Sequence, residues 1–257
     1  MRIAVCFSGH LRNFFTSDNG YNSLNKNILY LQKNGHQVDM FFSIWDTYDP
    51  VHSHHNADNI IIDSLKIDST IFDLIDVKKL LIESYDDLKS QFTLSSITNE
   101  TITSKNQIKG FEHRFASLTI SPDDILHCVP MYYKICSANK LKTEFELENE
   151  FTYDIVIRYR CHISLQSQIN LPSAIEKNTI YLPYFNKNCT NKTCMADDRF
   201  AYGSSNSMNI YSNLYNELKT IIETCSHFGP ERYLDYYLVK LKSLNLKNSV
   251  NVHTVRN

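Results

Sequence analysis

The stretch Ile-Ala-Val-Cys-Phe-Ser-Gly-His-Leu-Arg, at residues 3–12, decides the fold class of this sequence. Its first five residues are all apolar, which is typical of a parallel strand that is buried on both faces. Ser8 and Gly9 end the apolar run with little side-chain bulk, so backbone N–H groups there can approach an anion. Arg12 adds a positive charge. The segment therefore predicts a first strand, an anion-facing loop and the start of a helix.

A β-α-β unit opens the chain, because a helical pattern at residues 27–32 is followed by a second buried run at residues 38–44. Such a unit is the building block of a parallel sheet. Apolar runs and helical spacing predict the later elements. The predicted strands are 59–62, 79–83, 153–157, 179–182, 199–202 and 250–253, and the predicted helices are 69–74, 122–149, 206–225 and 230–244. Because no linker or repeat divides the chain, we expect one α/β domain with a mostly parallel central sheet.

The composition argues against several classes of protein. The 257 residues carry a formal net charge of -2 and have an isoelectric point near 6.5, whereas nucleic-acid-binding proteins usually show a basic excess. No stretch reaches the roughly 18 apolar residues that a membrane-spanning helix needs, and the first residues lack the pattern of a signal peptide. The seven cysteines are scattered and odd in number, which favours reduced thiols. We therefore expect a cytoplasmic protein with no nucleic-acid partner and no transmembrane segment.

Four polar clusters lie at the ends of predicted strands. Ligands of open α/β sheets bind at the carboxyl ends of the strands. Clusters that are far apart in sequence therefore meet at one edge of the sheet, which predicts a ligand site there. Its members are Ser8, Gly9, His10 and Arg12; Trp45 and Asp46; Arg158, Arg160 and His162; and Asp197 and Asp198.

Arg158 and Arg160 follow a strand with an apolar interior. Burying arginines is costly unless they meet anions or carboxylates. Guanidinium groups suit a diphosphate, since each can donate two parallel hydrogen bonds. The alternative is a structural ion pair with Asp154 or a nearby glutamate. We favour the anion site over the structural pair.

The other candidate residues allow more than one interpretation. The carboxylate of Asp198 is suited to a general base, a hydroxyl ligand or a metal ligand, and equally to a solvated loop acid. The histidines of residues 52–55 and the pair Cys189 and Cys194 have the composition of metal ligands. No partner lies at the usual spacing, so we interpret these histidines and cysteines as solvated loop residues.

Six blocks of sequence together resemble a group of GT-A-like glycosyltransferases from polysaccharide and lipopolysaccharide loci and from large DNA viruses. They follow the order of that group and span nearly the whole chain. The blocks are IAVCFSGHLRNF (3–14), VDMFFSIWD (38–46), MYYKICSANKLKTEFE (131–146), YDIVIRYRCHI (153–163), DRFAYGSSNSMNIYSNLY (198–215) and PERYLDYYL (230–238).

The resemblance implies a UDP-, GDP- or dTDP-linked sugar donor bound over the amino-terminal half of the sheet. In that group, an Arg-x-Arg-x-Asp pattern lies at the end of the fourth strand of the sheet. This pattern is the counterpart of the metal-binding Asp-x-Asp motif of GT-A enzymes. Here His162 stands where the Asp is expected. This difference leaves three alternatives. His162 could help to bind a divalent cation, and Mn²⁺ would suit a histidine ligand better than Mg²⁺. Alternatively, the arginines neutralise the diphosphate without a metal, or the protein binds its ligand without catalysing a reaction.

We therefore expect a single GT-A-like (Rossmann-like) α/β/α sandwich over residues 1–257, with a donor-binding half at about 1–163 and an acceptor-side half at about 164–257. The expected activity is hexosyl or pentosyl transfer from a nucleotide-sugar to a hydroxyl of a glycan or glycoprotein, as in polysaccharide biosynthesis, in the host cytoplasm if the protein is viral. The alternative is a catalytically inactive nucleotide-sugar or carbohydrate-binding protein. Asp198 is the expected base, His162 the metal candidate, and the donor-binding residues are Phe7, Ser8, Gly9, Arg12, Asp46, Arg158, Arg160 and His162.

Overall fold

The computed structural model describes residues 1–12, 14, 21–47, 66–92, 128–161, 163–165, 168–183, 196–225, 229–249 and 254–256. The strands are β1 (Arg2–Gly9), β2 (Gln37–Trp45), β3 (Val77–Glu83), β4 (Ile155–Arg160), β5 (Ile163–Leu165), β6 (Thr179–Leu182), β7 (Phe200–Gly203), β8 (Asn245–Asn248) and β9 (Thr254–Arg256). The α-helices are α1 (Tyr21–Lys33), α2 (Tyr85–Leu88), α3 (Cys128–Glu148), α4 (Ser205–Ser212), α5 (Leu214–Thr224) and α6 (Pro230–Asp235). Short 3₁₀ helices span Ser69–Leu74 and Lys89–Phe92, and a π-helical turn at Tyr236–Leu241 continues α6.

The central sheet has seven strands in the order β3-β2-β1-β4-β7-β6-β8. The pairs β2/β3, β1/β2, β1/β4 and β6/β8 are parallel, and β7 runs antiparallel to both of its neighbours. Strands β5 and β9 form a separate antiparallel pair. The predicted α/β fold with a mostly parallel central sheet is therefore confirmed.

Helices cover both faces of the sheet, and the side chains of each strand alternate between two apolar cores. On one face, Cys6, Phe41 and Val156 pack with residues of α3 to α6. On the other face, neighbouring strand residues such as Val5 and Phe42 pack with residues of α1. This two-sided burial is the physical reason why the apolar runs of β1 and β2 are continuous. We call the two sides of the sheet the α3 face and the α1 face.

Some element boundaries differ from those predicted. The single helix expected at 206–225 is two helices, because the chain turns at Asn213, whose N–H donates to the carbonyl of Ile210. The last helix changes to a π-helical turn and ends at Leu241, earlier than expected. Strand β4 begins later than predicted and runs on to Arg160, since β7 pairs with its second half. The strands predicted at 59–62 and 250–253 lie outside the described residues.

Candidate functional site

Three polar side chains lie in one row at the carboxyl ends of the central strands. Ser8 of β1 is in register with Ser43 of β2 on one side and with Arg160 of β4 on the other. All three side chains lie on the α3 face, because they alternate with residues packed on the α1 face. The fold thus brings two of the predicted clusters together and adds Ser43, which was not predicted.

Arg158 lies two residues before Arg160 on β4, further from the carboxyl end of the strand, and is in register with Cys6 of β1. It is only 2% exposed, and its Nε and Nη1 atoms have no hydrogen-bond partner within the described part of the chain. Burial lowers the pKa of Arg158, and the neighbouring charge of Arg160 adds to this effect. A buried guanidinium whose N–H groups lack acceptors among the described residues carries a large desolvation cost. A bound anion would offset this cost.

Other buried polar atoms near Arg158 also lack partners. The hydroxyls of Ser8, Ser43 and Tyr211 are buried, and the described residues provide no hydrogen bond to any of them. Tyr211 belongs to α4, which contacts β4 on the α3 face. Burial raises the pKa of Tyr211, so its hydroxyl is neutral and can donate a hydrogen bond. We call Ser8, Ser43, Arg158 and Tyr211 the unpaired polar cluster. Native proteins leave few such groups, so four on one sheet face indicate a bound ligand or ordered water.

Asp198 completes this part of the site. Its Oδ2 atom lies 3.2 Å from Nη1 of Arg160, and its side chain is 5% exposed. Its charge also acts on Arg158 and Tyr211. The neighbouring Asp197 has a different role, because its carboxylate accepts hydrogen bonds from the backbone and side chain of Arg199. Of the two predicted acids, Asp198 is therefore the one that lies beside the arginines.

A buried lysine connects α3 to the ends of β2 and β3. Nζ of Lys134 donates to the carbonyl of Ile44 at 2.8 Å and to Oε2 of Glu83 at 2.7 Å, and it lies 4.1 Å from the centre of the Trp45 ring. The other carboxylate oxygen of Glu83 accepts a hydrogen bond from the Tyr133 hydroxyl at 2.8 Å. Burial lowers the pKa of Lys134 to about 8, although Glu83 opposes the shift. These contacts fix the position of α3 over the carboxyl edge of the sheet.

His10 lies between this lysine and the arginines. Its Nδ1 atom is 3.2 Å from the carbonyl oxygen of Thr47, and its ring centre is 6.2 Å from that of Trp45. Burial lowers the pKa of His10 to about 4, and the charges of Arg12, Lys134 and Arg160 contribute to the shift. The imidazole is therefore neutral at physiological pH.

The depressed pKa of His10 predicts an acid-sensitive stability. An unfolded histidine binds a proton below about pH 6.5, whereas folded His10 binds one only near pH 4. The unfolded chain holds more protons between these values, so the free energy of unfolding falls as the pH falls from 6.5 to 4, by at most about 1.4 kcal/mol per pH unit from this group. We expect His10→Asn to have a shallower fall, measured by urea unfolding from pH 4 to 7. Parallel curves for the two proteins would contradict the assignment.

The remaining predicted residues lie in different environments. Gly9 has a φ of 102°, in the region that favours glycine, and Arg12 follows with a φ of 50°. Asp46 directly follows β2, and its Oδ2 lies 3.4 Å from the exposed ammonium of Lys66. His162, the histidines of residues 52–55, Cys189 and Cys194 lie outside the described residues.

Phe7 does not belong to the site. It is fully buried on the α1 face, stacked on Phe42 and in contact with Phe14 and Tyr159. Successive residues of a strand point to opposite faces, so Phe7 and Ser8 cannot both line one site. The expectation that Phe7 binds the donor is corrected: Phe7 is a core residue.

The described residues contain no group of three or more His, Cys, Asp or Glu side chains that could hold a metal ion. The charged groups that meet at the carboxyl edge are mainly cationic, so the described residues there do not fit a divalent cation. Over the same described ranges, no helix is long and apolar enough to cross a membrane.

Sequence reasoning missed three residues of the site. Ser43 had a usable signal, since it is a lone hydroxyl that follows the apolar residues Met40, Phe41 and Phe42 near the end of β2. Lys134 and Tyr211 had none, because a helical lysine usually indicates a solvated face and a helical tyrosine suits the core as well as a site.

The sequence matches no protein-family model and no curated protein. Among solved structures, the chain is similar to a transferase mutant with two cysteine-to-serine substitutions, with a TM-score of 0.38 and 12% identity over 98% of this chain and 92% of that chain. It is also similar to mouse xyloside xylosyltransferase 1 in its apo form, with a TM-score of 0.35 and 7% identity over 96% of this chain and 83% of that chain. Neither likeness is close enough to carry an argument. What the fold and the site define is an α/β protein with a cationic site at the carboxyl edge of its sheet.

Proposed function

We propose that this protein is a GT-A-like glycosyltransferase that moves a sugar from a nucleoside-diphosphate sugar to a hydroxyl of a glycan or glycoprotein. The observation that carries the proposal is Arg158, a buried guanidinium with two N–H-bearing nitrogens that lack partners among the described residues. Arg160 lies on the same strand and the same face. Two adjacent guanidinium groups suit a diphosphate better than a single carboxylate.

The leaving group of such a reaction is a nucleoside diphosphate. Negative charge grows on its oxygen as the bond to the anomeric carbon breaks, and fixed donors aimed at that charge lower the barrier. In this proposal Arg158 and Arg160 supply the positive charge, and the hydroxyls of Tyr211 and Ser8 donate hydrogen bonds. The cost of leaving these donors unpaired in the free protein is then recovered when the donor binds.

Asp198 is the proposed base. In a direct displacement the acceptor oxygen attacks the anomeric carbon, its proton passes to the carboxylate, and the electron pair of the broken bond leaves with the diphosphate. The contact between Asp198 and Arg160 supports this role, because Arg160 belongs to the proposed diphosphate site. When the diphosphate binds, it competes with Asp198 for Arg160, so the carboxylate becomes available to the acceptor hydroxyl.

Binding and turnover of UDP-, GDP- and dTDP-linked sugars test this proposal. We expect one class of donor to raise the melting temperature of the wild type, since a ligand that binds only the folded state stabilises it. Arg160→Ala is expected to weaken donor binding at least tenfold in calorimetry. Asp198→Asn is expected to keep the affinity within about threefold and to lower turnover at least 100-fold, the scale of general-base catalysis.

The results also separate the proposal from its alternative. Full turnover by both variants would contradict the roles assigned to Arg160 and Asp198. If none of the donors binds to the wild type, the proposed function is wrong. The second candidate is a nucleotide-sugar-binding protein without catalysis, which His162 in the place of the family's Asp favours. Donor binding without turnover in the wild type, with and without Mn²⁺, would select this candidate.

A further inference from the structure

We infer that His10 is a ligand-binding residue whose Nε2 atom accepts a hydrogen bond from a hydroxyl group of the bound nucleotide-sugar. The inference rests on the proposed function and assigns a residue that the diphosphate site does not require. His10 would provide a second contact with the ligand, to a neutral hydroxyl next to the diphosphate.

The position of His10 places it at the edge of the proposed diphosphate site. It follows Gly9, where β1 ends, and Ser8 two residues earlier is in register with Arg160. As a residue, His10 is intermediate in exposure, neither fully buried nor fully exposed. His10 therefore has a surface that a ligand can reach.

The hydrogen bond to Thr47 fixes the tautomer of His10. A backbone carbonyl oxygen can only accept a hydrogen bond, so Nδ1, at 3.2 Å from the Thr47 oxygen, carries the ring proton. In the neutral imidazole, Nε2 is then an acceptor with a free lone pair. Within the described part of the chain, no residue donates a hydrogen bond to Nε2.

The surrounding charges keep this acceptor neutral. Arg12, Lys134 and Arg160 all disfavour a proton on His10. Lys134 donates to Ile44 and Glu83, and Nη1 of Arg160 donates to Asp198. A neutral hydroxyl is the donor that fits such an acceptor, and a nucleotide-sugar carries hydroxyls on both its ribose and its sugar, on either side of the diphosphate.

Two variants separate ligand binding from a structural role. His10→Asn keeps an amide nitrogen close to the position of Nδ1, which can still donate to Thr47, but it has no atom at the position of Nε2. His10→Gln places an amide oxygen near Nε2, which can accept from a hydroxyl. A purely structural histidine would tolerate Asn better than Gln, whereas a ligand-binding Nε2 requires the opposite order.

The experiment measures binding of three probes by calorimetry to the wild type and both variants. The probes are inorganic pyrophosphate, the nucleoside diphosphate of the preferred base, and the matching nucleotide-sugar. We expect His10→Asn to bind pyrophosphate within twofold of the wild type and to lose at least tenfold in affinity for a hydroxyl-bearing probe, whereas His10→Gln stays within about threefold. A loss already seen with the nucleoside diphosphate assigns the ribose, and a loss confined to the nucleotide-sugar assigns the sugar.

Two outcomes would overturn the inference while the proposed function stands. The first is wild-type affinity of His10→Asn for all three probes. The second is an equal loss for pyrophosphate and nucleotide-sugar, which would make His10 a structural residue. Failure of the wild type to bind any probe would instead remove the proposed function and this inference together.

Discussion

Replacing Lys134 by methionine is expected to lower the free energy of unfolding by about 3 kcal/mol, near the lower end of the cost of removing one partner of a buried ion pair. Methionine fills a similar volume but donates no hydrogen bond. The carbonyl of Ile44 and one oxygen of Glu83 then lose their donor, and the contact of the ammonium with the Trp45 ring is lost as well. Urea unfolding of the two proteins at pH 7 measures the difference.

Lys140→Met is the matched control, because Lys140 lies on the same helix and is exposed. We expect this variant to stay within about 0.5 kcal/mol of the wild type, as surface substitutions usually do. Equal losses in the two variants would mean that the cost comes from the helix and not from the contacts of Lys134. A wild-type stability for Lys134→Met would show that these contacts do not position α3.

Strands β1 and β2 could be predicted because they are buried on both faces. A continuous apolar run is visible in any sequence, and the run at 179–182 coincides with strand β6. Strand β4 was harder, since Arg158 and Arg160 end the apolar run before the strand ends. Residues 156–159 of β4 pair with the antiparallel strand β7. The strand at 199–202 was predicted, but its pairing with β4 is a long-range contact that has no local signal.

The site could be predicted only in part, and the reason is again the geometry of strands. Residue order alone grouped Phe7 with Ser8, although alternation places them on opposite faces. The roles of Lys134 and Tyr211 depend on which helix packs over which strand, and that is a property of the tertiary structure. The arginines were found because charges that follow an apolar strand are costly, and the cost is visible in the sequence. Asp198 was assigned through the resemblance to the glycosyltransferase group.

Replacing Arg158 by methionine is expected to change stability and binding in opposite directions. Removing a buried charge with unmade hydrogen bonds relieves its desolvation cost, so we expect the free energy of unfolding to rise by about 1–3 kcal/mol. The affinity for pyrophosphate and for the nucleotide-sugar is expected to fall at least 100-fold, because this guanidinium is the proposed centre of diphosphate binding. Urea unfolding and calorimetry on the same preparations measure the two effects.

Arg199→Met is the control for Arg158→Met, since Arg199 is satisfied by the carboxylate of Asp197. Removing the Arg199 side chain leaves the carboxylate of Asp197 with the backbone N–H of residue 199 but without its ion pair, so we expect a loss of stability where Arg158→Met gains it. Tyr211→Phe provides a milder version of the same test, because it removes only a hydroxyl that no described residue pairs.

If Arg158→Met is less stable than the wild type and still binds pyrophosphate normally, Arg158 is a structural residue of the core. If Arg158, which has no partner for Nε and Nη1 among the described residues, is kept for a ligand, removing it should raise stability and weaken binding. Opposite signs of the two changes would support the proposed role of Arg158.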